Sequence, residues 1–140
     1  MLPNIEEFLS CDRIAIVGVS HKPKDFSRAI FRAFLERGYD VVPVNPGARE
    51  VEGKPCFPRM QDAQPPVQAA LLMTTPAVSG HVVKDCAAAG VRRVWLYRRS
   101  GEAEAFCAAE GIAVIAGECP LMFLRDTGWV HRFYRWVKGA

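Results

Sequence analysis

Short apolar runs recur along the chain, and patterns with helical spacing separate most of them. The runs that predict strands cover residues 13–18, 40–44, 68–73, 93–97 and 112–115. Runs of this length with little alternation are typical of strands that are buried on both faces, as in a parallel sheet. Apolar residues at helical spacing predict three helices, one from Phe26 to the stop signal Gly38, one over 77–89 and one over 102–110.

The order of these elements indicates the fold class. Strands that alternate with helices of this length predict βαβ units, and the sequence therefore predicts one doubly wound α/β domain. Asp25 or Ser27 is expected to cap the first of these helices, and Pro43 to lie near the end of the second strand because it cannot donate a ladder hydrogen bond. Residues 46–66 are rich in proline and glycine and are predicted to wind over the surface.

Composition narrows the class of protein. The chain has 140 residues and a formal net charge of +3, too small to indicate the concentrated basic face of a nucleic-acid-binding protein. Its longest apolar stretch falls far short of the roughly 20 residues that a membrane span needs. Five cysteines occur without a Cys-x-x-Cys pair, so neither a disulfide framework nor a zinc site is indicated. We therefore expect a cytoplasmic protein with reduced thiols.

The loop after the first predicted strand has the features of a phosphate site. In open parallel sheets, ligands bind beyond the carboxyl ends of the strands. Gly18 permits a tight turn there, and backbone N–H groups near the start of the following helix can cradle an anion. Hydroxyl or cationic side chains follow at Ser20, Lys22, Lys24, Ser27 and Arg28. The alternative is a plain strand–loop–helix connection with solvated lysines.

Two positions bear on which nucleotide would bind. The dinucleotide fingerprint Gly-x-Gly-x-x-Gly is absent, because Ser20 stands at its second glycine. The second strand ends in Asn45 rather than in the Asp or Glu that accepts hydrogen bonds from an NAD ribose, and Arg49 and Lys54 follow. A neutral amide tolerates a phosphorylated ribose where a carboxylate would repel it. These residues favour a ligand with an extra ribose phosphate over NAD.

Four groups of residues together resemble the small coenzyme A-binding protein family. They are Gly18-Val19-Ser20 with Lys22-Pro23 and Ser27, then Val42-Pro43-Val44-Asn45-Pro46, Trp95-Leu96, and Cys119-Pro120. That family is similar to the CoA-binding Rossmann domain of the succinyl-CoA synthetase alpha subunit, and the resemblance covers roughly residues 5–122. It implies a three-layer, doubly wound Rossmann-like α/β fold with a five-stranded parallel sheet over residues 1–125, and coenzyme A or an acyl-CoA as ligand.

The resemblance also assigns roles to residues. It implies contacts to the phosphates from Gly18, Val19, Ser20 and Lys22, contacts at the adenosine end from Asn45 and Pro46, and a cleft wall at Thr75 and Pro76. Ser27 and Arg28 complete the predicted cofactor-binding set. The chain departs from the family pattern at Thr74, where arginine is frequent, and after Trp95-Leu96, where Tyr97-Arg98-Arg99 replaces the usual glutamine. Arg98 and Arg99 either replace a lost positive contact or form a solvated turn.

No convincing catalytic centre emerges from the sequence. Cys119, before Pro120 and a predicted short helix over 121–124, is the best candidate nucleophile, because a helix N-terminus can lower the pKa of a thiol. No histidine is identifiable as its base, and a buried structural cysteine is the alternative; Trp95 is likewise expected in the core. The sequence thus predicts a CoA-binding protein without a catalytic centre of its own. The alternatives are a subunit of an acyl-CoA-handling enzyme that lacks its partner chain and an NAD-type nucleotide sensor.

The C-terminal segment 126–140 reads as an amphipathic helix. Its large apolar side chains fall on one helical face and its basic side chains on another: Trp129, Val130, Phe133, Trp136 and Val137 against Arg132, Arg135 and Lys138. Such a helix packs on its own domain, forms a homodimer or lies on a membrane surface.

Overall fold

The computed structural model describes residues 3–125, and the structural statements below concern this part of the chain. The strands are β1 (Ile14–Val17), β2 (Val41–Val44), β3 (Glu50–Val51), β4 (Lys54–Pro55), β5 (Ala69–Leu72), β6 (Arg93–Leu96) and β7 (Ala113–Ala116). The α-helices are α1 (Pro3–Leu9), α2 (Phe26–Glu36), α3 (Pro76–Ala88) and α4 (Gly101–Ala109). Two short 3₁₀ helices cover Met60–Asp62 and Pro120–Met122. The predicted helix in 126–140 lies outside the described residues.

The main sheet confirms the predicted architecture. Its five strands are parallel and lie in the order β2-β1-β5-β6-β7. Val17 is in register with Val44 on one side and with Leu72 on the other, so the carboxyl ends of three strands lie side by side. The winding reverses between β1 and β5, and a ligand-binding crevice is expected at such a switch point.

Helices cover both faces of this sheet and make three layers. Within β1, Ala15 and Val17 pack into one buried cluster and Ile14 and Ile16 into the other, because successive side chains of a strand point to opposite faces. The first cluster contains residues of α3 and α4: Val83, Cys86, Ala103 and Cys107. The second contains residues of α1 and α2: Ile5, Phe8, Ile30, Phe31 and Phe34.

Two elements are present that the sequence pattern does not predict. Helix α1 buries Ile5 and Phe8 completely, and the Phe8 ring meets Trp95 edge-on at 5.3 Å between ring centroids. Seven residues are too few to show a helical repeat. The second element is the antiparallel hairpin β3–β4, and the chain after it returns to the sheet, where the N–H of Asn45 donates to the carbonyl of Phe57 at 2.9 Å.

Local details follow the expected physical rules. Asp25 caps α2 by accepting from the Ser27 N–H at 3.0 Å, whereas the Ser27 hydroxyl is used elsewhere. Pro43 lies within β2, which is an edge strand, and there the missing N–H is tolerated. All five cysteines are free, and burial raises the pKa of Cys86 to about 12 and that of Cys107 to about 11. None of the helices within residues 3–125 has the length and apolar character to cross a membrane.

Candidate functional site

Gly18 lies where the loops after β1 and β5 come closest. Its φ of +87° belongs to the left-handed region, which favours glycine. A Cβ atom at this position would meet the Thr74 Cγ2 atom at 2.9 Å and the Met73 carbonyl carbon at 3.3 Å. The Gly18 N–H also donates to the Val44 carbonyl at 2.9 Å. The ends of β1, β2 and β5 are thus tied together at one residue.

Hydroxyl groups hold the loop that follows Gly18. The Ser20 N–H donates to the Ser27 hydroxyl at 2.9 Å, and the Lys22 N–H donates to the Ser20 hydroxyl at 3.0 Å. Ser27 in turn donates its hydroxyl proton to Asp25 at 2.6 Å. The two serines therefore close the loop onto the start of α2.

Positive charge gathers beside the capping carboxylate. The hydrogen bonds that Asp25 accepts from the Ser27 hydroxyl and N–H hold the pKa of its carboxyl below the usual range, and the charges of Lys22 and Arg98 lower it further. Arg99 is instead paired with Glu104 at 2.7 Å. Arg98 is thus the one of the two turn arginines whose charge reaches Asp25.

Asn45 connects the loop after β2 with the loop after β1. Its Nδ2 donates to the Val19 carbonyl at 2.6 Å, and its Oδ1 accepts from the Gly47 N–H at 2.7 Å. Both ends of the amide are occupied by backbone groups. A carboxylate at this position would lack the donor for Val19, so the amide is needed for the local geometry.

A cavity of about 220 Å³ opens beside these loops. It lies between the carboxyl ends of β1, β2 and β5 and the first turns of α3, and its mainly apolar wall includes Val44, Pro46, Met60, Val78 and Val82. Thr75 caps α3 by accepting weakly from the Val78 N–H, and Pro76 is the first residue of the helix. Apolar walls with polar groups at the rim are typical of small-ligand sites.

Two residues that the sequence pattern does not identify also line the cavity. Arg59 and Asp85 line it, with the Arg59 Nη2 atom 3.6 Å from the Asp85 Oδ1 atom. Arg59 belongs to the segment 46–66, and only the return of Phe57 to the edge of β2 carries it to the site. A strand partner for Phe57 is not visible in the local sequence.

Two larger hollows lie elsewhere on the molecule. One, of about 280 Å³, is lined by Tyr39 and Arg125, and the other, of about 420 Å³, lies beside β7 under Arg99 and Glu104. Neither touches the loop after β1. The smaller cavity is the better candidate because it alone among the three adjoins the switch point of the sheet.

Arg28 is placed differently from the exposed lysines of the loop. Its side chain is only 10% exposed, and its guanidinium bonds to Glu52 and to the carbonyl groups of Ser20 and His21. It therefore contacts the loop from behind, on the side of α2.

Trp95 belongs to the core, and Cys119 is half-buried. Trp95 is fully buried, and its indole N–H donates to the Glu118 carbonyl at 2.9 Å. Cys119 precedes a 3₁₀ helix of three residues, Pro120–Met122, shorter than the predicted helix. Residues 3–125 hold no group of three or more His, Cys, Asp or Glu side chains arranged to bind a metal ion.

A family comparison matches this geometry. The sequence model described as the CoA binding domain matches residues 12–125, which span every strand of the sheet and the cavity. The chain belongs to this CoA-binding domain family. The resemblance read from the loops after β1 and β2 is thereby confirmed.

Individual relatives match different shares of this chain. The uncharacterized protein YneT of Bacillus subtilis (strain 168) is 33% identical over 55 residues, which cover 39% of this chain and 41% of that protein's length. A hypothetical protein from Pyrococcus horikoshii OT3 superposes with a TM-score of 0.81 at 30% identity, covering 86% of this chain and 89% of that one.

A much larger protein contains a similar unit. The dinucleotide forming acetyl-coenzyme A synthetase 1 of Ca. Korarchaeum cryptofilum superposes with a TM-score of 0.72 at 26% identity. The match covers 81% of this chain and only 28% of the synthetase chain.

We predict that Gly18→Ala destabilises the protein more than Gly53→Ala does. Both glycines have a positive φ, but a Cβ at Gly53 meets nothing within 4 Å. The Gly53 variant should lose about 1–2 kcal/mol from backbone strain alone. The Gly18 variant should lose at least about 1 kcal/mol more, because Thr74 must move. Urea denaturation measures both, and equal losses would show that the contact with Thr74 is not tight.

Proposed function

We propose that this chain binds coenzyme A or an acyl-CoA across the carboxyl ends of β1, β2 and β5, and that it has no catalytic centre of its own. The observation that carries the proposal is the junction at Gly18, where the loop after β1 adjoins a largely apolar cavity in a member of the CoA-binding domain family. The arrangement offers separate surroundings for the charged and the aromatic parts of such a ligand.

The loop after β1 suits the pyrophosphate. In the proposed complex, the backbone of Gly18, Val19 and Ser20 faces the phosphates, and Lys22 supplies charge. Among residues 3–125, no group accepts the His21 N–H, which leaves this donor for an anion. Arg98 adds a second positive charge nearby. A free N–H group shortly before a helix, with cations beside it, is typical of phosphate sites.

The cavity suits the adenine, and its rim suits the ribose phosphate. Pro46 and Val78, which line the cavity, would pack on the two sides of the ring. Asn45 and Thr75–Pro76 do not line the cavity but adjoin its lining residues Pro46 and Thr74 in the chain, and they would lie at the edges of the ring. Arg59 lines the same cavity with a side chain that is 62% exposed, so its guanidinium can turn toward a 3′-phosphate. Ser27 and Arg28 would act from behind the loop, through the backbone they hold.

A second candidate function is that of a CoA-binding unit beside a separate catalytic chain. The observation that favours it is the acetyl-coenzyme A synthetase, in which a unit similar to this chain makes up 28% of the length. Both functions need the same ligand site. They differ in whether acyl transfer appears when a second chain is added, and in neither does the isolated chain turn over acyl-CoA.

We predict that Ser20→Asp weakens CoA binding by at least about tenfold, because the new carboxylate faces the pyrophosphate in a partly desolvated site. Ser20→Asn is the matched control: it has the same size and can accept the Lys22 N–H in the same way, but it carries no charge. Calorimetric titration with CoA should show near wild-type affinity for the asparagine variant. Equal affinities for the two variants would remove the loop from the phosphate site.

We predict that the wild-type protein binds CoA more tightly than dephospho-CoA and NAD. Arg59→Gln should reduce the ratio of the affinities for CoA and dephospho-CoA about fivefold. The loss should fall on CoA alone, because dephospho-CoA has no 3′-phosphate to contact. Arg49→Gln is the control, since Arg49 does not line the cavity. A larger loss of CoA affinity in Arg49→Gln than in Arg59→Gln would indicate that the ribose phosphate binds on the other side of Pro46. Equal wild-type affinities for all three ligands would contradict the selectivity.

A further inference from the structure

The turn of the hairpin β3–β4 has an unusual residue at its tip. Val51 pairs with Lys54, which leaves Glu52 and Gly53 as a two-residue turn with φ values of 50° and 76°. Turns with two positive φ values favour Asn, Asp or Gly at the first position. Glutamate is unfavourable there, and Glu52 is the non-glycine residue of positive φ within residues 3–125. Such a residue needs compensating contacts.

The compensating contacts run from Glu52 to α2. Its Oε2 atom accepts from the Arg28 Nε at 3.0 Å and from the Arg32 Nη1 at 3.1 Å. The hydrogen bonds from Arg28 hold the pKa of the Glu52 carboxyl below its usual range, so the group is ionised at neutral pH. Arg28 is 10% exposed in this pair and Arg32 is 38% exposed.

Arg28 connects Glu52 with the loop between β1 and α2, residues 18–25, which is called the phosphate loop below. Its Nη1 donates to the Ser20 carbonyl at 3.2 Å and to the His21 carbonyl at 3.3 Å. Because the C=O and N–H of one peptide group point in opposite directions, these two bonds turn the N–H groups of His21 and Lys22 away from Arg28. The Lys22 N–H reaches the Ser20 hydroxyl, and the His21 N–H faces away from the hairpin.

Arg32 provides an internal comparison. It shares Glu52 with Arg28, but its other bond goes to the Pro23 carbonyl at 3.2 Å rather than to Ser20 or His21. The two arginines therefore contact the same carboxylate and differ in whether they reach the peptide groups of the proposed phosphate site.

We propose that Glu52 is a positioning residue for the phosphate loop: from the hairpin it fixes Arg28, and Arg28 fixes the peptide groups of Ser20 and His21. The inference rests on the proposed CoA-binding function for its consequence, and on the hydrogen bonds above for its mechanism. Arg28 then acts as a strut: it holds the backbone of the loop through the Ser20 and His21 carbonyl groups and does not contact the phosphates directly. In the opposite arrangement, Glu52 would compete with the phosphates for Arg28.

Glu52→Asn separates the two roles of this residue. Asparagine is favoured at the turn position but is too short to reach Arg28, so the strain is relieved while the strut is lost. We expect a midpoint of thermal unfolding no lower than that of Arg32→Gln, together with an affinity for CoA that is about tenfold weaker than in the wild type. Arg32→Gln should change that affinity less than about threefold.

The direction in which Glu52→Asn changes the affinity for CoA shows whether Glu52 positions Arg28 or competes with the phosphates for it. Wild-type affinity in Glu52→Asn would overturn the proposal, and tighter binding would show that Glu52 competes with the ligand for Arg28. If the asparagine variant does not fold, Glu52→Gly decides by the same titration, because glycine is favoured at a positive φ and has no side chain to reach Arg28. There a loss of affinity supports the strut and an unchanged or tighter affinity overturns it.

A ligand-free measurement distinguishes failure of the strut from failure of the proposed function. Backbone ¹⁵N order parameters of His21 and Lys22 should fall from rigid values near about 0.85 toward 0.6 or below in Glu52→Asn, and should stay unchanged in Arg32→Gln. Rigid amides in both variants would overturn the positioning role, whatever binds. A loop that is rigid in the wild type and mobile in Glu52→Asn, together with a wild-type protein that does not bind CoA, would leave the positioning role intact and reject the ligand.

Discussion

The approach of Gly18 to the Met73–Thr74 backbone is the constraint on which the edge formed by the carboxyl ends of β1, β2 and β5 depends. Two parallel strands that end in phase bring their loops together, and the second loop passes where the Cβ atom of the first residue would be. A residue without a Cβ lets β1 and β5 stay in register to their ends. The loop after β1 can then turn at once toward α2.

Several polar side chains around this junction serve the backbone. Ser27 and Asn45 resemble ligand contacts in the sequence, yet their hydrogen bonds go to Ser20 and Val19. Arg28 likewise bonds to carbonyl groups of the loop. Each bond fixes a peptide group in the free protein, and preorganisation of this kind would reduce the entropic cost of binding the proposed ligand. The residues next to a phosphate site can thus matter through the donors they orient.

The sequence predicts the five-stranded sheet because each strand is an apolar run and the sheet buries both of its faces. It does not predict α1, where burial of Ile5 and Phe8 stabilises a helix too short to show a repeat. Nor does it predict that 46–66 returns to β2 and places Arg59 at the cavity, because the pairing of Val44 with Phe57 is non-local. Individual candidate residues in the loops can be identified from the sequence, whereas the residues that they contact depend on the tertiary structure.

Two carboxylates beside the loop after β1 are stabilised in their charged form. Asp25 and Glu52 are held in the ionised form by bonds to Ser27 and Arg28, and both lie on the α2 side of the loop. Their pKa values are lowered, so their contribution to stability is complete only above the unfolded carboxyl pKa values of about 3.9 for aspartate and about 4.3 for glutamate, and it is lost as the pH falls through the lowered values.

Binding of coenzyme A at the junction of β1, β2 and β5 is tested most directly by native mass spectrometry of the full chain with added CoA. The predicted spectrum shows a complex of one chain with one CoA, which persists when NAD is added in excess. A spectrum with free protein alone at millimolar CoA, or replacement of CoA by NAD at equal concentration, would contradict the assignment of the site.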